Sequence, residues 1–120
     1  MGRVYVDDAA ILHRSMLMYH LFSPDLDALH AMAERIGMAR RWFQDPASMA
    51  KVSWPHYDIP YIVRQQAIEY GAIEVDRYQL VAMAGVIMGK DDPLEAFRSA
   101  YFAQQRMRLT HWLAEQGFPL

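Results

Sequence analysis

Four glycines do most to limit what this chain can become, because each closes a stretch written in helical periodicity. Leu26, Leu29, Ala33 and Ile36 recur on one helical face, and Gly37 follows at once. Val63, Ala67 and Tyr70 run up to Gly71, and Leu80, Met83, Ala84 and Ile87 to Gly89. Leu94, Phe97, Tyr101, Leu109, Trp112 and Leu113 spread over a broad face that ends at Gly117. Start signals answer these stops. Ser23-Pro24-Asp25 reads as an N-cap, a first-turn proline and a carboxylate facing the positive end of a helix. Pro60 stands at the start of the second helix, and Asp76 with Gln79 has capping-box spacing for the third. Asp92-Pro93-Leu94-Glu95 repeats the signal for a fourth helix of about six turns.

Strand-like runs alternate with these helices. Arg3-Val4-Tyr5-Val6 is β-branched and aromatic and stops at Asp7-Asp8; Met16 to Phe22 is apolar on both faces; Arg40 to Phe43 and Ala72 to Val75 are shorter. Gln44 to Pro55 reads as a loop. The alternation predicts an α/β fold with a small, mainly parallel sheet of three or four short strands and flanking helices. Residues 77–120 form a helical C-terminal extension of the 3–76 unit, the whole making a single domain over 1–120.

Of the 120 residues 53% are hydrophobic and 12% aromatic, enough for a core and too many for disorder. With no cysteine, disulfides, thiolate-bound zinc and cysteine nucleophiles are excluded. The start of the chain carries Asp7-Asp8 where a secretory signal needs an apolar core, and a cytoplasmic location is expected. The longest apolar runs, Met16 to Phe22 and Val81 to Met88, are far shorter than the ~20 residues of a membrane span. The net charge of -2 disfavours tight nucleic-acid binding without ruling out a nuclease.

Polar residues gather where these elements end. Asp7 follows the first strand, His20 lies late in the second, and His56-Tyr57-Asp58 leads into the second helix. Alternation in extended chain puts His56 and Asp58 on one face and Tyr57 on the other. An imidazole beside a carboxylate is a base with its orienting partner, or half a metal site. His56, Asp58, His30 and Arg41 are the candidate catalytic residues, and Asp7, His20, His56 and Asp58 the candidate metal ligands. Histidine and carboxylate donors suit a divalent metal such as manganese, zinc or iron. Arg40-Arg41 before Trp42-Phe43 is able to clamp an anion. Plainer explanations compete: Asp58 and Asp76 both precede helices, where capping explains Asp58 as well as a site does and Asp76 better, and His30 flanks a core stripe where a buried ring needs only a hydrogen-bond partner. His13 and His111 read as surface residues, and the nine methionines as core filler.

Val4-Tyr5-Val6-Asp7-Asp8, Leu29-His30-Ala31-Met32-Ala33, Arg35-Ile36-Gly37, Arg40-Arg41-Trp42-Phe43-Gln44, His56-Tyr57-Asp58-Ile59 and Gly71-Ala72-Ile73-Glu74-Val75 follow one another along the chain. In that order they resemble the bacterial and phage domain-of-unknown-function family 4031 over about residues 3 to 76. The resemblance points to His20, His30, Arg41, His56 and Asp58 and implies no activity. Two readings stand side by side, so the sequence does not say whether the chain is an enzyme. One is a small enzyme that uses the His/Asp cluster, with or without a metal, to hydrolyse a phosphoester or related small anionic substrate. The other is a binding or assembly module forming a homo-oligomer through residues 93–116 of the final helix.

Overall fold

Met16–Phe22, the longest strand (β3), organises the N-terminal part of the chain. Before it come β1 (Tyr5–Val6) and β2 (Ile11–His13); after it come β4 (Phe43–Gln44), β5 (His56–Pro60) and β6 (Ile73–Glu74). Helix α1 (Leu26–Arg35) lies between β3 and β4, and α2 (Tyr61–Glu69) between β5 and β6. The structure is a computed structural model describing residues 2–120, and it divides after Asp76 into two compact units.

The sheet has six strands in the order β4-β5-β3-β1-β6, with β2 also on β3. Only β1 and β6 pair parallel among the described residues; the expected mainly parallel sheet is in fact mixed and mostly antiparallel. The physical reason is interleaving. Each helix does return the chain to a strand running the same way, β3 to β4 and β5 to β6. Yet β5 inserts between β3 and β4, and β3 and β1 lie between β5 and β6, so neither of these helix-linked pairs is adjacent. The hairpin from β2 to β3 adds a further antiparallel pair, turned by Arg14 at φ 57.

Register sorts the side chains. Val6, Leu21, Tyr57 and Ile59 face α1 and α2, where they meet Ala28, Leu29, Ala33 and Ala67 in one buried cluster. Fully burying a Leu or Ile there stabilises by about 1.5–3 kcal/mol relative to exposure. The alternate positions, Tyr5, His20, Phe22, His56 and Asp58, take the opposite face. Helix α1 is capped by Asp25, not Ser23 as the sequence suggested: the Asp25 carboxylate accepts from Ala28 N at 3.1 Å. The Ser23 hydroxyl is drawn off to donate to the Arg3 carbonyl at 2.6 Å, while accepting from Asp25 N. Arg40 to Phe43, expected as a strand, is a 3-10 turn over Arg40–Trp42 before β4.

The C-terminal unit holds α3 (Arg77–Ile87) and α4 (Ala103–Glu115). The expected six-turn helix from Asp92 is broken into 3-10 turns at Glu95–Phe97 and Ala100–Phe102 before α4 begins. Asp92 turns its carboxylate back to Leu94 N at 3.0 Å and to the Arg106 guanidinium at 3.1 Å. Ser99 adopts an extended conformation (ψ 144) and its hydroxyl accepts from Tyr101 N. Both residues trade helical continuation for local capping bonds. Ala82, Met83, Leu94, Phe97, Leu109 and Leu113 are buried. No helix among the described residues is long and apolar enough to cross a membrane.

Candidate metal centre

Three strands put one row of polar side chains on the face of the sheet opposite α1 and α2. His20 of β3 stands directly opposite Asp58 of β5 in the ladder. On the other edge of β3, just past β1, Asp7 donates its backbone N–H to the His20 carbonyl at 3.1 Å. The Asp7 carboxylate then accepts from the His20 backbone N–H at 2.8 Å and meets His20 Nδ1 at 2.6 Å. Asp7 is 1% exposed, and both its oxygens are spent on one residue. Asp8, beside it, is exposed.

His56 is held differently. Its Nδ1 lies 2.8 Å from the Trp54 carbonyl, and the Trp54 indole stacks on the imidazole with ring centroids 4.6 Å apart. Carbonyl and carboxylate oxygens only accept, so both Nδ1 atoms carry the hydrogen. Each neutral imidazole therefore presents an Nε2 lone pair. Those two atoms converge on Asp58 Oδ1, at 3.3 Å from His56 and 3.9 Å from His20. All three ligand atoms lie within 4.8 Å of one another. Acceptors aimed at one point attract only with a proton or a cation between them. Two ligands at tetrahedral angles on a metal with bonds of ~2.1 Å stand ~3.4 Å apart, close to the 3.3 Å and 3.9 Å separations of Asp58 from the two imidazoles.

Electrostatics follow the geometry. Burial lowers the pKa of His20, but the hydrogen bond and charge of Asp7, helped by Asp58, outweigh it and raise the pKa above the ordinary histidine value. When a proton sits on His56 Nε2 in place of a cation, its hydrogen bond holds the Asp58 carboxyl below its usual range against burial, and the charges of His56, His20 and His13 on protonation add to it.

A cleft of about 750 Å³ opens over this centre, lined also by Ile11, Leu12, His13, Met16, Met18, Met38, Arg41, Trp42 and Gln44. Arg41 is exposed, with its guanidinium 5.2 Å from the Trp42 ring centroid. Of the residues singled out from sequence, His20, His56, Asp58 and Arg41 thus share one cleft, and Asp7 stands behind His20. His30 does not join them. It lies with Tyr57 toward the helices, its Nδ1 2.7 Å from the Tyr57 hydroxyl and its ring edge-on to Phe43. Burial first, then Arg40, lowers its pKa. Asp58 does not cap α2, whose N-cap is Pro60 with no side-chain bond. Trp54 went unnoticed in the sequence although a signal existed. Pro55 forces Trp54 into extended chain, which sets it on the same side as His56. His13, read as a surface residue, is exposed but lines the cleft.

No curated protein and no solved structure matches the chain. The family described as Protein of unknown function (DUF4031) matches residues 4–86, which takes in every strand, α1, α2 and nearly all of α3. That match spans well over half of the chain, and the protein belongs to this family.

Proposed function

We propose that the chain is a divalent-metal-dependent hydrolase acting on a small anionic substrate, with the ion held by His20 Nε2, His56 Nε2 and the Asp58 carboxylate. One observation carries this reading: the three acceptor atoms converge while each Nδ1 is already committed, to Asp7 and to the Trp54 carbonyl. A histidine ligand whose other nitrogen is fixed by a carboxylate or carbonyl is the usual architecture of a tuned metal site. Two histidines and one carboxylate with an open side suit zinc in hydrolases, and also iron or manganese. Such an ion supplies Lewis acidity and makes water nucleophilic near neutral pH. The chain's own part is to orient the imidazoles and to hold the substrate's charge with Arg41 at the cleft.

Calorimetric titration of the metal-stripped full chain with Zn²⁺, Mn²⁺ or Fe²⁺ tests it. One site per chain is expected, weakened at least a hundredfold in Asp58→Ala and His56→Ala variants that circular dichroism shows to be folded. Binding untouched by both substitutions refutes the site. Turnover of simple phosphoesters by the loaded protein then tests the reaction. A second reading, association of copies through residues 93–116, is favoured by Tyr101 and Met107, which are 87% and 67% exposed. Light scattering separates the two, since a monomer argues against association.

A further inference from the structure

We infer that the substrate of this centre is an amphipathic anion: a carboxylate or phosphate headgroup on an alkyl or aromatic body, not a sugar phosphate or a nucleotide. The inference rests on the metal reading above and adds the shape of what is bound. The walls of the cleft are Ile11, Leu12, Met16, Met18, Met38 and Trp42. Ile11, Leu12, Met16 and Trp42 are each between 46% and 69% exposed. Large apolar side chains clustered on an open wall mark a surface that something apolar covers. A polyhydroxylated substrate needs donors and acceptors along its body. Beyond the ligand set and Arg41, the side chains of this lining offer only His13, Gln44 and the Trp42 indole N–H. Methionine side chains, unbranched and polarisable, adapt to a chain of variable shape.

Charge selects the headgroup. Asp58 is the one carboxylate lining the cleft and Arg41 the one arginine or lysine among the described residues. Their charges cancel, and the buried Asp7 carboxylate behind His20 offsets half the charge of a bound divalent ion, so the loaded site keeps a net positive charge. An anion completes it, and a neutral headgroup does not. The committed occupant is therefore a small amphiphile, and a second copy of the chain is the rival for the same wall.

The test uses the full chain loaded with Zn²⁺, after metal binding has been measured by itself. Butanoate, hexanoate, octanoate and decanoate are titrated calorimetrically, beside acetate, octanol and octyl phosphate. Affinity is expected to rise about twofold to fourfold per added methylene, as for burial of hydrocarbon. Octanol should bind at least tenfold more weakly than octanoate. The tighter of octanoate and octyl phosphate identifies the headgroup. Arg41→Ala should weaken octanoate while leaving octanol unchanged, narrowing the preference for the anion that the bound ion still supports, and Leu12→Ser should flatten the dependence on chain length. Both positions are exposed, so the variants keep the fold. An affinity that is flat from acetate to decanoate overturns the inference, as does a dimer by light scattering that binds no octanoate. A chain that binds no Zn²⁺ overturns the metal reading instead, so the two failures are distinguishable.

Discussion

Replacing Asp7 by Asn isolates the one buried group that touches the centre without facing the cleft. The side chains have nearly the same shape, so packing is preserved and only hydrogen-bond polarity changes. In the native protein one carboxylate oxygen accepts from the His20 backbone N–H at 2.8 Å and the other from His20 Nδ1–H at 2.6 Å. An amide has one acceptor. If its oxygen keeps the backbone bond, its NH₂ faces Nδ1, which must give up its hydrogen and become the acceptor. The hydrogen moves to Nε2, the atom that holds the ion in the proposed site. Restoring the other tautomer sets donor against donor and forfeits a charged hydrogen bond of about 1.5–3 kcal/mol. Flipping the amide only transfers the conflict to the backbone N–H. Metal affinity should therefore fall about tenfold to a hundredfold, in line with other residues that hold a metal-binding histidine from behind. The assay is Zn²⁺ calorimetry on both proteins at neutral pH, with imidazole ¹⁵N shifts to report the His20 tautomer. A folded Asp7→Asn protein with unchanged affinity and an unchanged tautomer refutes the reasoning.

Two further perturbations test other parts of the molecule. His30 has its pKa lowered in the folded state, so between its two pKa values the unfolded chain binds the extra proton; its contribution is present above the unfolded value near 6.5 and is lost as pH falls below it. Urea unfolding from pH 7.5 to 5 should show a steeper acid loss in the native protein than in His30→Gln, and equal slopes would exclude this role for His30. In the C-terminal unit, a Cβ built on Gly85 meets the Pro93 carbonyl oxygen at 2.7 Å and Pro93 Cα at 2.9 Å. Both are backbone atoms with little room to yield. Gly85→Ala should destabilise by about 1–3 kcal/mol despite alanine's better helix propensity, and a midpoint raised in denaturant would contradict that.

Local features were readable in the sequence, and nonlocal ones were not. Gly37 and Gly71 do end α1 and α2, with φ of 79 and 101 that L side chains avoid. The shared face of His56 and Asp58 follows from strand alternation alone. That His20 stands opposite Asp58 depends on how two strands nearly forty residues apart pair, and no local pattern records that register. The parallel sheet was misread for a related reason. A strand–helix–strand order shows that two strands run alike, and cannot show that a third lies between them. Strand β2 was missed because its turn uses Arg14 at positive φ where a hairpin signal calls for glycine or asparagine. The broken final helix shows a different limit. Asp92 signals a helix start in sequence, yet its carboxylate is claimed by Arg106, a partner fourteen residues on.

The pairing of β3 with β5 has a consequence for how this protein can fail. Tyr57 and Ile59 lie in the core, while His56 and Asp58, one residue away, form the centre. Slipping β5 by one residue would carry both histidine and carboxylate into the apolar layer beneath the helices and expel the tyrosine and isoleucine into the cleft. No stable misaligned molecule retains its core and loses its chemistry. Assembling the interior and bringing His20, His56 and Asp58 together depend on one register, so if the proposed ion binds, its affinity during refolding reports correct strand alignment.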